Sequence, residues 1–324
     1  MKNLKLFVTL FIGAIVISCS SDDDILTQET AIGIDGQISE KTRAIAGIIN
    51  GNIVFPDPNF KKALLEHDPK IDEDDNGEIT LEEARNVTHL YLQRKNISNL
   101  SGIQYFTNLT YLDCYNNQIT TLNVSKNAVL KYFYCHNNQL TALDVSENTR
   151  LKHLNCSMNN IRTLNLHKNT GLTYLICSNN PLTTLDVHKN TALGVLSCSN
   201  NQLTTLDVSK NTALGSFHCD DNQLTVLDVS KNTALRGLYC DNNRLTRLDV
   251  RKNNVLRYLK CSKNQLTTLN IKNGSNARLV RSELENNPRL ACIEVDDPTA
   301  FYLSKWKKDA RASYSGDCTP FDNR

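Results

Sequence analysis

A run of oxygen-bearing residues in the first third of the chain has the spacing needed to surround a hard cation. Residues 72–83 read DEDDNGEITLEE, which offers carboxylates, an amide, a hydroxyl and a backbone carbonyl at regular intervals. A glycine in the middle permits the sharp turn that wraps these oxygens around one point, and calcium takes about six to eight such ligands. The spacing therefore predicts a structural calcium site formed by Asp72, Asp74, Asn76, Glu78 (through its backbone carbonyl), Thr80 and Glu83.

This loop resembles the calcium loop of EF-hand proteins, at a place where it would cap the repeats that follow. A helix is expected to enter the loop, because Pro58 favours a helix start and Phe60, Ala63 and Leu64 recur at helical spacing. A second, outgoing helix is not expected, since the repeats begin near Val87. Calcium would hold the cap in place, because a sensor needs a second helix that can swing open. The alternative is a capping helix and turn whose acidic loop binds no ion.

Eight cysteines recur at a constant interval of 21 residues, at Cys114, Cys135, Cys156, Cys177, Cys198, Cys219, Cys240 and Cys261. A metal-binding interpretation would require closely spaced pairs of the type CxxC, which this column lacks. Neighbouring strands of a parallel sheet lie about 4.8 Å apart, whereas the Cβ atoms of a disulfide lie about 3.8 Å apart. We therefore predict free, buried thiols that pack as small hydrophobic groups, with disulfides between neighbours as the less favoured alternative.

The cysteines belong to a longer repeat, L-x-x-L-x-C-x-x-N-x-L-x-x-L-x-V-x-x-N. A period sustained in this way predicts a stacked array. The alternation of inward and outward residues around the cysteine predicts one short strand in each unit, and the strands should stack into a parallel sheet. The two asparagines are expected to point inward and satisfy backbone groups at the turns. Because no coil can bury its own apolar face, both ends need caps.

This pattern resembles the leucine-rich repeats of the internalin family, with cysteine in place of one leucine. The resemblance covers roughly residues 55–318. It implies a β-rich, right-handed solenoid with a parallel sheet on its concave side, and adhesion to a protein partner. About ten coils are expected over residues 87–290, between an EF-hand-like helical cap at 53–86 and a C-terminal cap at 291–324.

Two further cysteines, Cys292 and Cys318, lie outside the 21-residue column. They flank an apolar group that could close the open end of the solenoid, made of Phe301, Tyr302, Leu303 and Trp306. We expect a disulfide between them across the C-terminal cap, because the chain is expected to be secreted into an oxidising environment.

The start of the chain has the features of a targeting segment. Two lysines precede an apolar run at residues 6–17, which is shorter than the roughly 20 residues needed to cross a bilayer. The run ends at Ser18 and Cys19, which resembles the lipobox of bacterial lipoproteins. It predicts removal of residues 1–18, a lipid on Cys19, a flexible tether at 19–52, and an outer-membrane lipoprotein exposed at the cell surface. The alternative is an ordinary secretory peptide.

The residues between the inward leucines and cysteines should point outward, onto the concave sheet. Seven of the 11 tyrosines occupy these positions. Tyrosine combines rigid apolar area with a polar tip and is frequent in binding hot spots, although its strand propensity is an alternative explanation. We predict a ligand site formed by Tyr111, Tyr115, Tyr132, Tyr134, His136, His153 and Tyr174. The opposite wall repeats Asp or Asn and then Lys, and is interpreted as a solvated scaffold.

The remaining features argue against other classes of function. The chain has 36 basic and 34 acidic residues, which is unlike a nucleic-acid-binding protein. It has no nucleophile elbow, zinc-protease or phosphate-loop motif, and a shallow sheet does not exclude water. We expect a monomeric binding protein, not an enzyme, with a protein partner or, as the alternative, a surface glycan. A compact patch would favour the glycan, and a patch spread over many coils would favour the protein.

Overall fold

A hairpin and two helices form the N-terminal end of the computed structural model, which describes residues 47–318. They are β1 (Ile48–Ile49), β2 (Asn52–Ile53), α1 (Pro58–Leu65) and α2 (Leu81–Asn86). Within 47–318, no helix has both the length and the apolar character needed to cross a membrane. The expected signal peptide, most of the expected tether and Cys19 lie outside the described residues.

The helix α2 shows that the expectation of no outgoing helix was wrong. The Thr80 hydroxyl accepts the Glu83 N–H at 3.2 Å, while Glu83 Oε2 accepts the Thr80 N–H at 2.8 Å. This reciprocal cap satisfies backbone donors that would otherwise be unpaired at a helix start. The helix can therefore begin inside the last residues of the acidic loop, and its six residues fit before the first repeat.

Each strand that follows has three residues. In chain order the strands are β3 (His89–Tyr91), β4 (Tyr111–Asp113), β5 (Tyr132–Tyr134), β6 (His153–Asn155), β7 (Tyr174–Ile176), β8 (Val195–Ser197), β9 (Ser216–His218), β10 (Gly237–Tyr239), β11 (Arg247–Asp249), β12 (Tyr258–Lys260), β13 (Thr268–Asn270), β14 (Arg281–Glu283), β15 (Cys292–Glu294) and β16 (Ser313–Ser315). Ten of them form one sheet in the order β14-β12-β10-β9-β8-β7-β6-β5-β4-β3. The pairing is parallel and places Leu112 beside Phe133, so the structure confirms the predicted repeat solenoid. We call the outward side of this sheet the concave face.

The opposite wall forms a sheet only near the C-terminal end. Four parallel strands lie there in the order β11-β13-β15-β16, whereas the equivalent segments of the earlier described coils contain no strand. Both β15 and β16 fall in the segment expected to be a separate C-terminal cap. Glu283 also forms a parallel bridge with Lys307. The repeat architecture therefore continues about one coil beyond residue 290.

The last described segment closes the end of the solenoid with a disulfide and a small apolar cluster. Cys292 is bonded to Cys318, with their Cα atoms 6.0 Å apart. Leu303 and Trp306 are buried, but Phe301 is 82% exposed, so its expected place in the closing cluster was wrong. Phe301 begins a 3₁₀ helix whose inward face presents Leu303 instead.

The cysteine column lies entirely in the core. All eight side chains are buried and free, and burial raises the pKa of each thiol, to about 12 for Cys156. Some thiols donate to a carbonyl of the next coil: Cys240 Sγ lies 3.3 Å from the Lys260 oxygen. A protonated, buried thiol is a poor nucleophile, so this column serves packing.

Two columns of buried asparagines connect neighbouring coils, but they are not equally satisfied. In the first column, Asn201 Oδ1 accepts the Leu182 N–H at 3.1 Å and its Nδ2 donates to the Cys198 oxygen at 2.9 Å. In the second column, Asn211 Nδ2 donates to the Val187 and Asn190 oxygens, both at 2.9 Å. Within the described residues its Oδ1 has no hydrogen-bond partner. Toward the preceding coil, the first column therefore satisfies a backbone N–H as well as a carbonyl, whereas the second column satisfies carbonyls alone.

This difference predicts unequal costs for two substitutions in the same coil. Asn201→Ala leaves a buried backbone N–H and backbone carbonyls without their hydrogen-bond partner. Asn211→Ala leaves only backbone carbonyls without one. We expect Asn201→Ala to lower the free energy of unfolding by about 2–4 kcal/mol and Asn211→Ala by about 1–2 kcal/mol. Urea unfolding of both variants measures this. Equal costs, or a larger cost for Asn211→Ala, would contradict the assignment.

Candidate binding face

The sheet register places the predicted ligand residues on one surface. Tyr111 pairs with Tyr132, Tyr132 with His153, and His153 with Tyr174 along successive strands. Their side chains are half-buried or exposed, as outward positions require. All seven predicted residues lie on the concave face, because the strand alternation that buries Leu112 turns its neighbours outward.

The rings form a chain of direct contacts. Ring centroids are 6.0 Å apart for Tyr111 and Tyr132, 4.9 Å for Tyr132 and His153, and 5.2 Å for His153 and Tyr174. Tyr134 lies 5.6 Å from Tyr111, and its hydroxyl lies 3.4 Å from His153 Nδ1. These are ordinary distances for interacting aromatic pairs, and each ring restricts its neighbours. The face is therefore preorganised.

A second stacked pair lies just past the ends of these strands. Tyr115 and His136 have ring centroids 4.5 Å apart and nearly parallel planes. The Arg94 guanidinium lies 5.6 Å from the centroid of the Tyr115 ring, at cation–π distance. This pair widens the aromatic surface toward the turns.

Three residues of this surface were missed by the sequence prediction. His89 and Tyr91 lie on β3, and their rings are 5.6 Å and 5.3 Å from Tyr111. They could have been found by extending the outward columns one unit back, across a step of 22 residues instead of 21. His67 comes from the cap and stacks on Tyr91 at 5.7 Å, while its Nε2 accepts the Tyr91 N–H at 3.0 Å. No repeat position marks His67 in the sequence.

We call the whole set the aromatic band: His67, His89, Tyr91, Tyr111, Tyr115, Tyr132, Tyr134, His136, His153 and Tyr174. A smaller cluster lies further along the same face, where His218 stacks on Tyr239 at 4.2 Å and Lys260 Nζ lies 6.0 Å from the Tyr239 centroid. The sequence prediction of the ligand site did not include this second cluster. The two clusters are separated by β8, which presents Val195 and Ser197.

Two histidines of the aromatic band are uncharged at pH 7. Burial lowers the pKa of His136 and of His153, so both imidazoles are uncharged. Burial also raises the pKa of Tyr111 to about 12, so its hydroxyl remains a donor. These three residues therefore offer ring faces and neutral polar groups to a ligand.

Asp113 is an exception within this surface. It occupies an outward position but is only 9% exposed, and burial raises its pKa to about 6. The Tyr115 N–H, 3.4 Å from Oδ1, offers it a weak hydrogen bond. Groups with perturbed pKa values cluster at functional sites, which makes Asp113 a candidate contact for a ligand.

The acidic loop of the cap brings together three of its six expected ligands. Asp72, Asp74 and Glu83 each offer a carboxylate oxygen, and these oxygens lie within 4.8 Å of one another. Asp72 is fixed by N–H groups from the loop, including that of Gly77 at 2.9 Å, and Gly77 adopts the left-handed conformation of the turn (φ 77°). Asp72 and Glu83 are buried and Asp74 is exposed, and carboxylates gathered this closely repel one another unless a cation neutralises them.

The other three expected ligands are engaged in contacts within the cap. The Thr80 hydroxyl donates to Glu83 at 2.8 Å, and Asn76 Oδ1 accepts the Glu78 N–H at 2.7 Å. The Glu78 carboxylate pairs with Lys61 at 2.7 Å, which leaves its backbone carbonyl as the expected ligand. The donor set is all oxygen and is compatible with calcium.

Comparisons with known proteins show which family this architecture resembles. Residues 85–127 match the family described as Leucine Rich repeats (2 copies). Internalin J of Listeria monocytogenes serotype 4b (strain F2365) is 36% identical over 138 residues, which cover 39% of this chain and 15% of that protein. The chain thus spans a small part of that relative's length.

Solved structures show the same similarity. The functional domain of internalin J from Listeria monocytogenes, described as including a cysteine ladder, superposes with a TM-score of 0.68 at 34% identity, over 80% of this chain and 59% of that one. The internalin InlF from Listeria monocytogenes strain 4b F2365 has a TM-score of 0.57 at 22% identity, over 81% and 91%, and supports the fold. With its repeats and its column of buried cysteines, the chain is an internalin-like leucine-rich-repeat protein.

Proposed function

We propose that this protein is a cell-surface adhesion protein that binds a protein partner on the aromatic band. The observation that carries the proposal is the continuous contact of rings from His67 to Tyr174 on one outward surface. Large, rigid side chains that are ordered before binding lose little conformational entropy when a partner arrives. Aromatic residues also dominate the energetics of protein interfaces.

The extent of the band favours a protein over a small ligand. It covers five strands, from β3 to β7, which corresponds to roughly 19 Å at about 4.8 Å per strand. A surface spread over this many coils fits a protein interface, which typically buries about 800 Å² per partner.

A glycan is the second candidate, and one observation supports it. The Asp113 carboxyl lies beside Tyr111 and Tyr134 in a ring-lined patch. Sugar rings stack on aromatic faces and accept or donate hydrogen bonds at such polar groups. Screening the protein against a panel of extracellular proteins and against a glycan array separates the two candidates.

Removing two rings from the centre of the band should abolish most of the binding. Tyr132 is 36% exposed and Tyr134 is half-buried, so neither belongs to the core. We expect the double variant Tyr132→Ala, Tyr134→Ala to keep its melting temperature within a few degrees. Its affinity for the hits of either screen should fall at least about tenfold, since loss of an aromatic anchor costs about 2 kcal/mol or more. Surface plasmon resonance measures the affinity.

Two matched controls keep this test specific. Tyr258→Ala removes a tyrosine of similar exposure (39%) from β12, outside the band, and Asp207→Ala changes the opposite wall. Both should bind as the unaltered protein does. If the double variant binds as tightly as these controls, the tyrosines only form the sheet and the ligand binds elsewhere.

We also propose that calcium stabilises the N-terminal cap through Asp72, Asp74 and Glu83, with oxygens from Asn76, Glu78 and Thr80. Three nearby carboxylates favour a divalent cation, which removes their mutual repulsion. Calcium at about 100 times its Kd should raise the free energy of unfolding by about 2.7 kcal/mol. Differential scanning calorimetry with calcium and with chelator measures the shift.

The loop supplies its own control for this prediction. Asp74→Ala should reduce the calcium-dependent rise in melting temperature. Asp75→Ala should not, because Asp75 pairs with Lys70 at 2.6 Å and is not one of the clustered carboxylates. An identical melting curve with calcium and with chelator would identify the loop as a cap that works without an ion.

Surface display requires an anchor, and we propose a lipid on Cys19, on the strength of the lipobox-like Ser18-Cys19 after an apolar run. Acyl chains bind a membrane with about 0.8 kcal/mol per buried methylene. The variant Cys19→Ala should move the protein from the membrane fraction to the soluble fraction, while Ser20→Ala should leave it in the membrane. Cys19→Ala protein that stays with the membrane would require another anchor.

A further inference from the structure

Two neighbouring coils depart from the repeat on the wall opposite the concave face. The residue that follows the inward valine or leucine is serine in four of the coils, at Ser125, Ser146, Ser209 and Ser230. In the two coils between them it is histidine, at His167 and His188. The scaffold interpretation of this wall gives no reason for that change.

The two histidines meet at one carboxylate. His167 Nε2 lies 3.0 Å from Asp186 Oδ2, and His188 Nδ1 lies 2.6 Å from Asp186 Oδ1. The imidazole centroids are 5.3 Å apart. One nitrogen from each histidine and one oxygen of Asp186 all lie within 4.8 Å of one another.

The backbone holds this group in place while leaving it open to solvent. The His167 N–H donates to Asn165 Oδ1 at 3.1 Å, and the His188 N–H donates to Asp186 Oδ1 at 3.0 Å, so each residue sits in a local turn. The side chains are 54%, 54% and 42% exposed for His167, Asp186 and His188. They line an open groove of about 690 Å³, which gives an ion free access.

We propose that His167, Asp186 and His188 bind a first-row transition-metal dication of the Zn²⁺ type. Imidazole nitrogen and carboxylate oxygen are preferred ligands of these ions, at about 2.0–2.2 Å for zinc. Ligand atoms around one such ion are about 3.3–3.6 Å apart in a tetrahedron, so small side-chain rotations suffice. Water completes the coordination, because the group supplies three ligands on an open surface.

The chemistry of this site differs from that of the acidic loop in the cap. The loop offers only oxygen and suits a hard cation, whereas two imidazoles favour zinc, copper or nickel. The two sites can therefore be distinguished with the metals alone. Zn²⁺ is the probe for the histidine site, with calcium kept in excess so that the cap loop is not available to zinc.

The repeat provides an unusually close control. Replacing His167 and His188 with serine gives these coils the residue that Ser209 and Ser230 already supply two units later, so the variant should fold. Titration calorimetry of the chelator-treated full chain with ZnCl₂ is expected to show one site on the unaltered protein. The double variant His167→Ser, His188→Ser should bind zinc at least about tenfold more weakly at that site. His89→Ser, which removes an exposed histidine elsewhere, should bind as the unaltered protein does.

The same site can be moved along the solenoid. Ser209, Asp228 and Ser230 occupy the positions of His167, Asp186 and His188 shifted by two repeats. Adding Ser209→His and Ser230→His to the double variant should restore zinc binding to within about threefold of the original affinity. The proposal is overturned if the unaltered protein does not bind zinc, if the double variant binds as tightly, or if the moved site restores nothing.

Discussion

The hydrogen bonds from inward asparagine amides to the backbone of neighbouring coils are the interaction on which this solenoid depends. Asn138 illustrates it: its Oδ1 accepts the Ile119 N–H at 3.0 Å, and its Nδ2 donates to the Cys114 oxygen at 3.0 Å. Such a bridge forms only if every coil turns at the same place, because the buried backbone groups need their partners. Asn117 and Asn287 keep the bridge in units that are 22 and 23 residues long, so the bridge fixes where the chain turns and not the exact length of the coil.

Because of this constraint, the inward and outward positions of each coil are under different restrictions. Inward positions must fill a closely packed interior, which explains the apolar column of leucines, with Phe133 and Phe217 in two coils, and the column of protonated, unreactive thiols. Outward positions on the sheet have no such restriction. The aromatic band and the histidine pair at His167 and His188 both occupy outward positions, where a change of residue leaves the core intact.

The repeat made most of the fold predictable from the sequence. The strands, their parallel register and the inward direction of Leu112 and Cys114 follow from a period that only a stacked array satisfies. The outward direction of Tyr132 and His153 follows from the same alternation, so most of the aromatic band could be predicted.

Features that depend on contacts not set by the 21-residue repeat could not be predicted in this way. His67 joins the band only because the cap folds against β3, and Phe301 is exposed because of the phase of a short 3₁₀ helix. The burial of Asp113 results from packing that its outward position does not indicate. The cluster of His167, Asp186 and His188 was overlooked because the opposite wall was interpreted as a uniform scaffold.

The central claim is that ligand recognition takes place on the outward residues of the N-terminal strands. Hydroxyl-radical footprinting tests it most directly: the full chain is oxidised with and without a ligand recovered from the protein panel or the glycan array, and each tyrosine is measured by mass spectrometry. The account predicts protection of Tyr111, Tyr132 and Tyr174, with Tyr258 unchanged. Protection of Tyr258 or of residues on the opposite wall, with the aromatic band still fully oxidised, would contradict it.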